Sequence, residues 1–262
     1  MSSAAPQEDA VLATRAGRYR EYAPSPVLGA HFCCLWSHDI HDGANQRIAI
    51  VPDGYCDIVW MGGRLVVAGP DRSSAFPFLA GSERIMGARF APGAAAEWLK
   101  VPLCDIVGQS IPLEDFWGAP ALRLNELLSG CAEPHERLLL LKAALEQKAA
   151  KRQPPASDMG SVFARASDIS KSENVADVML DELSIGARQL RRRCHTHFGY
   201  GPKTLVRIRR FQGMLGLCRS SKALPLAELA VAAGYADQAH MTRDAREIST
   251  LTPMQIQQQI AG

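Results

Sequence analysis

The segment Leu226-Ala-Glu-Leu-Ala-Val-Ala-Ala-Gly-Tyr-Ala-Asp-Gln-Ala-His-Met-Thr-Arg243 constrains this chain more than any other. A first helix turning Leu226, Leu229 and Ala230 inward must stop at Gly234, and Asp237 is placed to cap a second helix whose Met241 points back to the first. Small Ala and Gly residues at the crossing let the two helices approach closely, which is helix-turn-helix geometry. A second, looser copy precedes it: Val175 to Leu183 as first helix, Ser184-Ile-Gly186 as turn, and Ala187 to Phe198 as second helix. Leu190 there matches Met241, so the copies are offset by 51 residues. Between them Gly201-Pro202 opens a helix reaching about Arg219, Pro being well suited to the first turn. Some 18 residues span roughly 27 Å, close to the roughly 34 Å between successive major-groove faces of B-DNA.

Charge supports that reading. The net +2 divides near residue 160 into −3 before and +5 after. From Arg188 to Arg210 there are eight basic residues, Arg188, Arg191, Arg192, Arg193, Lys203, Arg207, Arg209 and Arg210, and no acidic one. Arg188, Arg191 and Arg192 fall at i, i+3 and i+4, one stripe opposite Leu190 and Cys194. Such a stripe suits phosphates and base edges.

On the motifs Ser184-Ile-Gly-Ala-Arg-Gln-Leu-Arg-Arg-Arg193, Phe198-Gly-Tyr-Gly-Pro202, Arg209-Arg-Phe-Gln212, Leu226 to Arg243 and Thr252-Pro253, residues 165–259 resemble the DNA-binding domain of the AraC/XylS family of bacterial transcription regulators. The resemblance implies base-reading roles for Arg188, Arg191 and Arg192 in the first unit and for Gln238, Ala239, His240 and Arg243 in the second. Arg pairs bidentately with guanine and Gln with adenine, so the set has the chemistry of sequence readout. Lys203 and Arg209, on the intervening helix, are expected as backbone contacts, Arg209 specifically to phosphate. The family also implies a transcription regulator, more often an activator, with double-stranded DNA and RNA polymerase as partners. Three positions depart from its pattern: Cys194 and Ala245 stand where Phe is usual, and Thr250 where Gly is usual.

At 262 residues the chain exceeds the usual span of one core, which favours two domains. With 47% hydrophobic and 21% charged residues it is a globular chain, not a disordered or fibrous one. Upstream of the helical half, Cys56 to Trp60 and Arg64 to Ala68 are β-rich runs around Met61-Gly62-Gly63, the strongest hairpin signal. Further strands are expected at Arg47 to Val51 and Ile85 to Phe90, and helices at Ala94 to Lys100, Ala121 to Leu128 and Pro134 to Ala150. The expected fold is an α+β N-terminal domain, β-rich and barrel-like with C-terminal helices, followed by an all-α double helix-turn-helix domain. Pro154-Pro155 marks the boundary. The divisions are a sensing or dimerisation domain over 1–150, a linker over 151–164 and the DNA-binding domain over 165–259.

The run Val51 to Trp60, with Ala68-Gly-Pro-Asp71 and Gly87 to Gly93, resembles the small N-terminal domain of unassigned function found in a subgroup of these regulators, over roughly residues 18–118. That implies signal sensing or dimerisation. Asp53, Asp57, Trp60 and Arg89, with Asp71, are candidates for a polar ligand pocket holding a small-molecule effector; core, turn and ion-pair roles compete for each. The helix over Pro134 to Lys151 carries Leu138, Leu141 and Leu145 on one stripe, either a homodimer seam or an internal packing face.

No Walker loop, H-E-x-x-H, G-x-S-x-G or dinucleotide fingerprint occurs, so no catalytic residue, cofactor or metal is expected. The alternative is an enzyme whose metal-dependent β-rich domain is tethered to DNA by the helical one. His31, Cys33, Cys34, His38 and His41 suggest a metal or thiol cluster, but adjacent cysteines in a strand face opposite ways. The seven cysteines, an odd number without a C-x-x-C pair, read as reduced thiols. Glu8 and Asp9 near the start, with no run of 18 apolar residues, place the expected protein in the cytoplasm, away from membranes and on the nucleoid when DNA-bound.

Overall fold

The computed structural model describes residues 10–40, 47–77, 84–155, 158–168, 179–180, 183–220 and 224–261. The first helix expected over Val175 to Leu183 therefore lies mostly outside the described residues, as do His41 and the acidic start of the chain.

The N-terminal half is built on a six-stranded antiparallel sheet: β2 (Gly17–Tyr22), β3 (Phe32–Ile40), β5 (Asp57–Met61), β6 (Arg64–Ala68), β7 (Arg84–Phe90) and β8 (Ser110–Pro112), in spatial order β2-β3-β7-β5-β6-β8. A separate parallel pair joins β1 (Val11–Leu12) to β4 (Ile48–Ala49). The β5–β6 hairpin forms as the sequence predicts, pairing Asp57 with Ala68 and Met61 with Arg64. Gly62 and Gly63 take φ of 58° and 75°, the two positive values that a type I′ turn needs to match strand twist. The expected barrel does not close, because β2 and β8 remain as edges.

Alternation divides the sheet into two faces. Leu35, Ile58, Trp60, Leu65 and Met86 turn to one side, where α1 (Ala95–Leu99), α2 (Glu114–Trp117), α3 (Ala119–Gly130) and α4 (Pro134–Ala149) cover them. Trp98 is the hub of that core, its ring within 6 Å of the rings of Phe32, Phe90 and Trp117. Leu138, Leu141 and Leu145 are all buried in it, so the leucine stripe packs within the domain and is not a dimer seam. On the opposite face Cys34, Trp36, Val59 and Ile85 form a smaller apolar layer turned toward the C-terminal half.

That half contains α5 (Asp158–Ser167), α6 (Ala187–Phe198), α7 (Pro202–Ser220), α8 (Leu226–Ala232), α9 (Gln238–Ser249) and α10 (Pro253–Ala261). Residues 158–164, expected as linker, form the start of α5, and Met159, Val162 and Phe163 are buried against Leu190, Cys194 and Phe198 of α6. A helix restarts at Asp158, within three residues of Pro154-Pro155. In the second unit α9 begins as expected, Asp237 Oδ1 accepting the His240 backbone N–H at 2.6 Å.

The two halves share interior. Ala10, Leu12 and Ala49 lie in one cluster with Phe211, Met214, Met241 and Ile256. The Leu12 N–H donates to Gln259 Oε1 at 2.8 Å, and Gln259 Nε2 donates to the Ala10 carbonyl at 2.9 Å. Gly199, which ends α6 at φ 83°, lies where a Cβ would come within 2.6 Å of Val107 and 2.8 Å of Pro70.

Thr250 ends α9 in the left-handed region at φ 65°. A β-branched residue is strained there and glycine is not. Thr250→Gly is therefore expected to raise unfolding free energy by about 1 kcal/mol, measured by chemical denaturation. A loss of stability would mean that the threonine side chain holds this cap.

Candidate nucleic-acid interface and interdomain cavity

Helix α6 buries Leu190, Cys194 and Phe198, and this anchoring turns Arg188, Arg191 and Arg192 outward. All three are exposed, and none has an ion-pair partner among the described residues. Cys194, where the family pattern has Phe, is completely enclosed, and burial pushes its thiol up to about 12. In α9, Met241, Ala245 and Ile248 face inward while Gln238, Ala239 and Arg243 are exposed. His240 is less free: its ring stands edge-on to Tyr235 at 5.2 Å, and its Nε2 lies 3.8 Å from Asp244 Oδ2. Arg246, one turn beyond Arg243, is also exposed and belongs to the same face, although the motif did not single it out. Its spacing from Arg243 was the available signal.

Helix α7 joins the two units, and its 19 residues span about 28 Å. Only part of the basic run is available to a partner. Arg207 donates to Asp244 at 2.8 Å and pairs with Glu247, locking α7 to α9. Arg193 pairs with Asp158 of α5, and Arg210 lies over the Tyr235 ring at 5.4 Å. Arg209, expected as a phosphate contact, is committed elsewhere. It donates to Ser167 Oγ at 2.7 Å and to the Asp53 carbonyl at 2.9 Å, with its guanidinium 4.5 Å from the Phe163 ring centre. It is a strut between the halves. Lys203 is exposed at the start of α7, near the end of α6.

Two family models match this chain in sequence. One, described as a helix-turn-helix domain, matches residues 179–259; the other, a domain of unknown function (DUF6597), matches residues 20–112. Residues 179–259 are thus a helix-turn-helix domain of AraC type. Both sequence resemblances hold, and the helix-turn-helix match makes this protein a DNA-binding transcription regulator. No curated protein matches the sequence. Among solved structures, ToxT from Vibrio cholerae O395 is similar at 13% identity and TM-score 0.46, over 95% of this chain and 99% of that one. An unsaturated fatty acid-bound ToxT from V. cholerae strain SCE256 aligns at 13% identity and TM-score 0.42, over 80% and 88%. The xylose-binding transcription activator XylR aligns at 14% identity and TM-score 0.36, over 42% of this chain and 29% of that one, so the chain spans under a third of XylR.

Between the sheet and α7 lies a cavity of about 670 Å³. Its floor is the outward face of the sheet, with Trp36, Val59 and Val66, and α7 closes it with Gln212, Leu215 and Arg219. Gln212 Nε2 donates to the Pro52 carbonyl at 2.6 Å, which ties that roof to the sheet. Three of the four pocket candidates meet here. Arg89 makes a two-armed contact with Asp57 at 3.2 and 3.3 Å and reaches Asp53 at 3.0 Å. Trp60 does not join them: three residues along a strand from Asp57, it faces the helices, under Arg137 at 4.2 Å. Asp71 lines the cavity with no hydrogen bond or ion pair among the described residues; burial, then the charge of Asp53, pushes its carboxyl up to about 6. Sequence reasoning missed Tyr19, Glu21 and Trp36 and took His38 only as a metal candidate; the period-2 spacing of Tyr19 with Glu21 on β2 and of Trp36 with His38 on β3 was the readable clue.

Among the described residues the histidine and cysteine candidates do not converge on a metal site. A β-bulge between Phe32 and Cys34 leaves Cys33 exposed and Cys34 buried on the cavity side. His31 faces the helices, its Nδ1 accepting from Trp98 Nε1 at 3.2 Å.

Two expectations follow from this geometry. Arg209→Ala should weaken docking of the halves, lowering thermal stability, while leaving the salt dependence of DNA binding unchanged; Lys203→Ala should reduce the slope of log K against log salt by about 1. Equal slopes for the two variants would return Arg209 to the phosphate contacts. Asp71 has a folded-state pKa above its unfolded value, so its carboxylate costs stability above about pH 6, and the cost vanishes below about pH 4. Asp71→Asn should accordingly raise the melting temperature at pH 7.5 and leave it nearly unchanged at pH 4. A pH-independent difference would contradict a half-buried, unpaired carboxylate.

Proposed function

We propose that this regulator reads two successive major-groove segments, inserting α6 into one and α9 into the next. Arg188, Arg191 and Arg192 would contact bases in the first segment, and Gln238, Ala239, His240 and Arg243 in the second. Lys203 and Arg246 would hold phosphates. The observation that carries this is the pair of exposed polar faces set at the two ends of α7, with α7 clamped to α9 through Arg207. About 28 Å of helix separates them, within reach of one helical turn of DNA. His240 would have to release Asp244 to reach a base, so its contribution should be smaller than that of Arg243.

In the same proposal the cavity receives a small-molecule effector, because it is roofed by the helix that spaces the two reading heads. Trp60 is left out of that site and Asp71 is included. The N-terminal half would sense and the C-terminal half bind DNA, with the boundary near Pro155 and α5 counted with the DNA-binding part. No catalysis is assigned to the chain, whose sequence carries no Walker loop, H-E-x-x-H, G-x-S-x-G or dinucleotide fingerprint. Activation through RNA polymerase, action in the cytoplasm and homodimer formation complete the proposal. A second copy would have to meet a surface other than the buried Leu138, Leu141 and Leu145. Among the described residues no helix is long and apolar enough to cross a membrane.

The test is binding to the protein's own promoter site, found by genome-wide mapping. Arg192→Ala should cost about 1–3 kcal/mol and relax preference at one base pair. Arg243→Ala should act on the other half-site, with a footprint change displaced by about one helical turn. Loss at the same base pairs for both variants would overturn the two-segment reading.

A further inference from the structure

The middle of the cavity floor is a shallow apolar shelf. Strand register pairs Trp36 with Gly87, Gly87 with Val59 and Val59 with Val66, so these four residues stand in one row across β3, β7, β5 and β6. With neighbouring strands about 4.8 Å apart, three steps make the row roughly 14 Å long. Gly87 brings no side chain to it, and the Trp36 indole takes that space: a Cβ at Gly87 would come within 2.6 Å of Cζ2 and 2.7 Å of Cε2 of the ring. A lone glycine inside a strand leaves such room for a close approach. The indole therefore leans along the row instead of standing up from it, and the short side chains of Val59 and Val66 continue the shelf. Leu215 of α7 faces the shelf from the roof, with Ile50 and Val51 beside it. The space between is a slot, wider than it is tall.

The ionic groups of the cavity lie off the shelf and largely answer one another. Arg89 and Asp57 face each other two residues along from Gly87 and Val59, about 7 Å from the row. Arg89 meets Asp57 at 3.2 and 3.3 Å, Asp53 at 3.0 Å and Glu21 at 3.9 Å. Glu21, at the outer end of the row beyond Trp36, also accepts the Tyr19 hydroxyl at 2.9 Å. Asp71 stands past the end of β6, and Arg219 is exposed at the rim. A charged molecule on the shelf would exchange water for apolar walls without gaining a free counter-charge, a cost that a neutral molecule does not meet.

We propose that the cavity takes a neutral, flat aromatic ligand of two or three fused rings, stacked on the Trp36 indole and lying along Val59 and Val66 beneath Leu215. This rests on the reading of the cavity as the effector site and assigns that site its ligand class. Offset stacking of aromatic faces adds to the gain from burying their area, which favours a planar ring system over a saturated one of the same skeleton. Because Leu215 belongs to the helix between the two reading heads, the ligand touches the DNA-binding half directly.

The experiment uses the full chain and four probes of one carbon skeleton: 2-naphthol, its saturated counterpart decahydro-2-naphthol, the anion 2-naphthoate and the cation 2-naphthylmethylammonium, each titrated by calorimetry at pH 7.5. 2-Naphthol should bind about tenfold more tightly than each of the others, the saturated alcohol being too thick to lie flat and the two ions losing their hydration. Trp36→Leu should bring 2-naphthol down to the level of decahydro-2-naphthol and leave the saturated alcohol nearly unchanged. Val66→Phe, which raises a ring out of the shelf, should weaken both neutral probes, with circular dichroism confirming the fold of each variant. Decahydro-2-naphthol or either ion binding as tightly as 2-naphthol, or Trp36→Leu leaving the preference for 2-naphthol intact, would overturn the ligand class while leaving the effector cavity standing. Failure of all four probes to bind, or binding indifferent to Val66→Phe, would overturn the cavity itself as an effector site.

Discussion

Helix α7 is the member on which the rest of the molecule depends. Leu205 and Ile208 complete the core of the first helix-turn-helix unit, and Phe211, Met214 and Leu215 that of the second. Its polar residues are equally occupied: Arg207 holds α9, Arg209 and Gln212 hold the strand-entry segment at Pro52 and Asp53. A helix buried on several sides cannot tilt without disturbing every layer it touches, because packed interiors are stiff. The distance between the recognition helices and the closure of the cavity are therefore set by one rigid body.

The cavity shows what such an arrangement costs. Asp57 is largely withdrawn from solvent, its side chain 14% exposed, and although Arg89 faces it in two-armed contact, loss of solvent still pushes its carboxyl above the usual carboxylate range. Charged groups removed from water are poor sources of stability even when paired. A hydrophobic replacement of the Arg89 cluster would serve the fold as well or better, so stability alone does not account for its presence.

Much of this was legible in sequence because it depended on local geometry. The Gly62-Gly63 turn, the Asp237 cap and the outward stripe of Arg188, Arg191 and Arg192 each follow from residues within one or two turns of each other. The position of Trp60 was also readable, since strand alternation puts residues 57 and 60 on opposite faces. What sequence could not reveal was long-range pairing. Eight basic residues in a row looked like one DNA-binding surface, yet Arg193, Arg207 and Arg209 find partners 35, 37 and up to 156 positions away. Likewise the bulge at Cys33 inverts the facing of the residues before it, and the linker expected after Pro155 became helix because Met159 and Phe163 had a core to join. The open edges at β2 and β8 replaced an expected barrel for the same reason: closure depends on strands far apart in the chain.

The contact between Leu12 and Gln259 brings together residues 247 positions apart. Ordering so long a loop is entropically unrewarded until most of the intervening chain is already folded. Ala10 and Leu12 nevertheless occupy the interior of the second helix-turn-helix unit, beside Met241 and Ile256. That unit's core is thus completed by a strand from the opposite end of the sequence. Completion of the second unit's core therefore depends on a contact of much greater sequence separation than those joining α5, α6 and α7 in the described core of the first.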